Sequence, residues 1–133
     1  MLIFTFTALN KKILLVEDNN DQRALLTKIV NYFGYDVIEA GSGTAAINQA
    51  SEAHPDIILM DMYLPAMTGD QITARLKANP GTRDIPVVFT TAFLLQVLKN
   101  RSSFAGAAEI LQKPFSLATL RESLDRYLSN RRR

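Results

Sequence analysis

Three carboxylates, a hydroxyl and an ammonium stand at the ends of apolar runs in this 133-residue chain. Ile13-Leu14-Leu15-Val16 runs into Glu17-Asp18, and Ile57-Ile58-Leu59-Met60 into Asp61. Val87-Val88-Phe89 runs into Thr90-Thr91, and Ile110-Leu111-Gln112 into Lys113-Pro114. Crowded carboxylates repel unless a cation compensates. Mg2+ is the hard, oxygen-seeking ion that suits such a cluster while retaining waters for a phosphate, and Mn2+ could substitute. Lys113 can neutralise an incoming phosphoryl oxygen as a point charge, and the Thr91 hydroxyl can donate to another. An Asp carboxylate can itself accept a phosphoryl group. Together these parts make an in-line transfer site that works by positioning and charge stabilisation.

Such a site needs elements that bring these runs side by side. Short continuous apolar runs separated by helical patterns read as strands buried on both faces of a parallel sheet. In open α/β sheets the ligand site lies outside the carboxyl ends of the strands, which is where the polar residues fall. The first helix follows Asn19-Asn20, which can cap it, with Asp21 suited to the positive end of the dipole. Leu26, Ile29, Val30 and Phe33 give it one buried stripe before Gly34. Asp36 to Ala40 is a short strand, and Gly41-Ser42-Gly43 opens a second helix that ends before His54-Pro55. Ile72 and Leu76 mark a third helix, closed by Asn79-Pro80-Gly81, and residues 94 to 105 a fourth. The fifth is capped by Ser116 and carries Leu117, Leu120, Leu124 and Leu128 on one face. Five βα units predict a single doubly wound, three-layer α/β domain.

Composition narrows the function classes. Apolar residues make up 47% and charged residues 21%, ordinary for a globular protein. A net charge of +2 singles out no polyanionic partner, so direct nucleic-acid binding is not expected, and residues 130 to 133 read as a solvated basic tail. With no cysteine, disulfides and thiolate metal sites are excluded. No apolar stretch reaches the roughly 18 residues of a membrane span. Residues 1 to 10 are an apolar extension without a basic n-region or cleavage site, unlike a signal peptide. A cytoplasmic protein is expected.

With those motifs in place, the chain resembles the receiver domain of the response regulators of two-component, phosphorelay signalling. The matching pieces are residues 13–19, Pro55 to Met62, Leu64-Pro65 with Gly69, Pro86 to Ala92, Gly106-Ala107 and Lys113-Pro114-Phe115. They span residues 11 to 129. The resemblance implies a flavodoxin-like (CheY-like) fold with five parallel strands in the order 2-1-3-4-5 and five helices. It implies that Asp61 takes a phosphoryl group from a histidine kinase or phosphotransfer domain, in a regulatory protein that catalyses only its own phosphorylation and dephosphorylation. It further implies Asp18 as direct Mg2+ ligand, Glu17 acting through water, and the Tyr63 main-chain carbonyl completing the metal site. Thr91 would be the switch hydroxyl beside Lys113, with a cis Lys113-Pro114 bond and Thr90 packing on the opposite side. Tyr63 and Phe93 would flank the approach of hydrolytic water.

Other polar residues read as structural. Asp21, Asp36, Asp56 and Asp70 suit caps and solvated loops, His54 a helix end, and Gly69 and Gly106 turns. Two features depart from the family. Ile110 replaces the aromatic residue three positions before the lysine, so no ring swings there with the hydroxyl. Leu94, Leu95, Val97 and Leu98 cannot all point to one side of a helix. Their outer members predict a contact surface for a downstream target, a second copy through the fourth helix, fifth strand and fifth helix, or residues 1 to 9. The favoured function is a phosphorylation-dependent switch with no output domain in this chain. A Mg2+-dependent phosphohydrolase would want a second carboxylate where Tyr63 stands. A flavodoxin-like ligand binder would want a Gly- or hydroxyl-rich loop where Glu17-Asp18-Asn19-Asn20 stands.

Overall fold

The computed structural model of the chain describes residues 10–92 and 106–128. The apolar runs become strands β1 (Lys12–Val16), β3 (Ile57–Asp61), β4 (Val87–Thr91) and β5 (Glu109–Gln112), joined by the more exposed β2 (Asp36–Ala40). All pair in parallel, in the order β2-β1-β3-β4-β5. Helices α1 (Asn20–Tyr32), α2 (Gly43–Ala53), α3 (Gly69–Ala78) and α4 (Leu117–Leu128) are described between and after them. The helix expected over 94–105 falls outside the described residues, so the helix expected fifth is α4. Residues 1–9 and 130–133 also lie outside.

Successive strand residues point to opposite faces, and each face has its own core. Leu14, Val16, Ile58, Met60, Val87 and Phe89 pack against Ala46 and Ala50 of α2 and Ile72 and Leu76 of α3. Ile13, Leu15, Ile57, Leu59 and Val88 pack against Val30 of α1 and Leu120, Leu124 and Leu128 of α4. The three-layer doubly wound arrangement therefore stands. In α1 only Val30 of the expected stripe is fully buried; Leu26, Ile29 and Phe33 are half-buried against the second core. Leu117 shares the face of Leu120, as expected, and is 58% exposed. It is the first residue of α4 and lines an open apolar groove with Leu25, Leu26 and Phe115.

The caps follow local chemistry. The Asn19 side chain accepts from the Gln22 N–H at 2.9 Å, the Ser42 hydroxyl from Ala45 at 3.1 Å, and Ser116 from Thr119 at 3.0 Å. His54 ends α2 in the left-handed region, at φ 48°. Opposite, α4 is tied to β5, where Glu109 accepts from Ser123 at 3.0 Å and pairs with Arg126. The Tyr127 hydroxyl donates to the Ala108 carbonyl at 3.2 Å. Burial, with the Glu109 carboxylate behind it, raises the Tyr127 phenol above its ordinary pKa.

Gly69, expected in a turn, is instead the first residue of α3, and it shows how closely the loop after β3 packs against that helix. Its N–H reaches the Met62 carbonyl at 2.6 Å, and an added Cβ would lie 2.8 Å from Phe89 Cε1 and 3.1 Å from Met62 Cα. Gly69→Val should therefore destabilise the fold by about 1–3 kcal/mol, the usual range for overpacking. Gly81→Ala meets only Asn79 Oδ1 at 3.4 Å and should be near neutral. Equal urea midpoints for the two variants would show that the loop yields.

Candidate functional site

The parallel register carries the four polar strand ends to one edge of the sheet. Glu17 follows β1 directly, and its N–H extends the ladder to the Ala40 carbonyl at 3.1 Å. Its carboxylate is buried and held on both oxygens. Oε2 accepts from the Asn19 N–H at 3.1 Å, and Oε1 lies 3.4 Å from Lys113 Nζ. Asp18, one residue on, is exposed. Asp61 closes β3 half-buried; its Oδ1 accepts from the Tyr63 N–H at 2.9 Å and its Oδ2 lies 3.3 Å from Lys113 Nζ.

Lys113 comes straight after β5. Its N–H donates to the Thr91 carbonyl at 2.7 Å, and its bond to Pro114 is cis, as the resemblance implied. Thr91 is the last residue of β4 and fully buried. Thr90 is buried too and stands beside Asp61 in the register. Ile110 is half-buried on the first core and pairs with Phe89. Tyr63 is half-buried and bridges to Thr68. Phe93, Leu94, Leu95, Val97 and Leu98 lie outside the described residues.

One carboxylate oxygen from each of Glu17, Asp18 and Asp61 lies within 4.8 Å of the other two. One ammonium is shared between two of the three acids. The donors are all hard oxygens, and the one histidine of the sequence, His54, caps α2. That set fits Mg2+ rather than a softer metal. Among the other aspartates, Asp56 accepts from the Lys12 N–H at 2.8 Å, and Asp70 takes the Thr68 hydroxyl. Both are structural, as expected. Sequence reading missed Arg23, whose guanidinium reaches the Glu17 main-chain carbonyl at 2.7 Å. Its only signal is its place one turn after the Asn19-Asn20 cap.

A profile of the response regulator receiver domain matches residues 13–125. The chain belongs to that family. This receiver domain is 34% identical over 122 residues to the polar-differentiation response regulator DivK of Brucella ovis, covering 92% of the chain and 99% of that protein. Among solved structures it is similar to the receiver domain of the sensor histidine kinase PA1611 of Pseudomonas aeruginosa, which has a magnesium ion coordinated in its active-site cleft. There the TM-score is 0.83 at 32% identity, over 91% of this chain and 99% of the other. The chemotaxis protein CheY4 of Vibrio cholerae matches at a TM-score of 0.82 and 28% identity, over 90% and 99% of the two chains. The receiver domain is regulatory, part of a two-component system, and its strand order is that of the flavodoxin-like fold.

Proposed function

We propose that Asp61 is the phosphoacceptor and that the donor is a phosphohistidine on a histidine kinase or phosphotransfer domain. The observation that carries this is Lys113, whose ammonium lies 3.3 Å from Asp61 and 3.4 Å from Glu17 at the end of a sheet where three carboxylates converge. An Asp61 oxygen forms the bond to phosphorus as the bond from phosphorus to the imidazole nitrogen breaks, and that electron pair leaves with the imidazole. Lys113 exchanges its carboxylate contacts for a phosphoryl oxygen, and the Thr91 hydroxyl donates to another. Asp18, Asp61 and the Tyr63 carbonyl would hold Mg2+, with Glu17 acting through water. The bound ion supplies charge neutralisation for the transferring group. Incubated with a small phosphodonor and Mg2+, the protein should gain one acid-labile phosphoryl group by intact mass. No gain from either a small donor or a cognate kinase would overturn the reading.

The phosphorylated state is proposed to change partners, a downstream protein or a second copy, through a face that includes β5 and α4. Among the described residues no helix is long and apolar enough to cross a membrane, and a cytoplasmic setting is proposed. Hydrolysis needs water in line with phosphorus, opposite the Asp61 oxygen. At the positions that flank this approach in the family, here Tyr63 and Phe93 (the latter outside the described residues), rings would obstruct water where polar side chains would orient it. The phosphoryl group should therefore be long-lived, and the Tyr63→Asn/Phe93→Glu variant should lose it about tenfold faster, a barrier change of about 1.4 kcal/mol. Slower decay in that variant than in the parent would show that the rings are no shield.

A further inference from the structure

The acidic loop between β1 and α1 is gathered by a single side chain. Arg23 Nη1 donates to the Glu17 carbonyl at 2.7 Å, Nη2 to Asn20 Oδ1 at 2.8 Å, and Nε to Glu39 Oε1 at 3.0 Å. One planar group thus ties the residue after β1, the first residue of α1 and the penultimate residue of β2. Asp18 lies inside that span. Gly41 makes room for the tie, because a Cβ there would lie 3.1 Å from Arg23 Nη1. Arg23 is mostly buried while Glu39 is nearly half exposed; of the three bonds the one to the Glu17 carbonyl is part-buried, and those to Asn20 and Glu39 are exposed.

Resting on the reading of Asp18 and Asp61 as Mg2+ ligands, we propose that Arg23 is a positioning residue for that site. It holds the Glu17 main chain and the start of α1 so that the Asp18 carboxylate is presented toward Asp61. Partners behind metal ligands are typically worth about 10–100-fold in affinity. The sign of the effect separates this role from simple electrostatics. A guanidinium close to an acidic cluster repels a divalent cation, so loss of its charge alone would tighten Mg2+ binding. Loss of positioning would weaken it.

The test is calorimetric titration with Mg2+, with urea midpoints measured in parallel, on Arg23→Ala, Arg23→Lys and Gly41→Ala. Lysine keeps the charge but cannot span three acceptors from a planar fork. Gly41→Ala asks the guanidinium to give by a few tenths of an ångström with the charge retained, and carries the test with Arg23→Lys if Arg23→Ala does not fold. The expected result is Mg2+ affinity at least about tenfold weaker in Arg23→Ala and Arg23→Lys, with a smaller loss in Gly41→Ala. Lower urea midpoints with unchanged affinity would reduce Arg23 to a stabilising contact and overturn the proposal. So would tighter binding in Arg23→Ala with parental binding in Arg23→Lys. A parent that binds no Mg2+ sinks the metal site itself. Parental affinity in the Arg23 variants beside a weakened Asp18→Ala sinks only the positioning role.

Discussion

Asp61→Asn is expected to lose all acid-labile phosphorylation and stay folded. The amide nitrogen and oxygen share their lone pair through resonance, so neither attacks phosphorus as a carboxylate oxygen does, and the neutral group is a poor ligand for a hard cation. The fold has little reason to respond. The amide oxygen can still accept from the Tyr63 N–H, now at 2.9 Å. Lys113 keeps Glu17 as a partner, so no buried charge is orphaned, the circumstance in which breaking an ion pair is most damaging. The measurement is intact mass after incubation with a small phosphodonor and Mg2+, with circular dichroism as the control for folding. Parental phosphate occupancy in the variant would move the acceptor elsewhere.

Asp18→Ala should weaken Mg2+ binding most among single changes at the acidic loop. The three acids are not equivalent. The Glu17 carboxylate is already engaged by Lys113 and the Asn19 N–H, and Asp61 by Lys113 and the Tyr63 N–H. Asp18 is exposed at the mouth of the site and can turn toward a cation at little structural cost. Its loss should reduce affinity by about tenfold or more, about 1.4 kcal/mol for each factor of ten. Folding stability should stay within roughly 0.5 kcal/mol, as for most surface substitutions. Calorimetric titration against Glu17→Gln decides the order. Binding by Asp18→Ala as tight as the parent's would assign the direct contact to another group.

Most of this fold is legible because continuous apolar runs leave few alternatives. Ile13 to Val16 and Ile57 to Met60 are buried on both faces, and between helical patterns such runs suit central strands of a parallel sheet. The acids could be read with them because their place after a strand fixes the edge they reach. Lys113 meets Glu17 from 96 residues away and Asp61 from 52, yet position along each strand was enough. Leu117 lies on the expected face yet is 58% exposed, because spacing reports which residues share a helix face, not how deeply each is buried. Arg23 escaped notice for a different reason. Its three acceptors are a main-chain carbonyl and two side chains on different elements, and no local pattern announces that convergence. The helix expected over 94–105 and its apolar residues lie outside the described residues.

Glu17 is held at its N–H, its carbonyl and both carboxylate oxygens, whereas its neighbour Asp18 is exposed. Adjacent acids therefore offer unequal ground for sequence change. A substitution at residue 17 disturbs loop, sheet edge and lysine together, so variation there is constrained by folding before any question of cation choice arises. At residue 18, ligand type and reach can be altered on an unchanged scaffold. Retuning this domain toward a different divalent ion is thus an engineering problem with one permissive position, and a library confined to residue 18 should return mostly folded proteins with a spread of metal preferences.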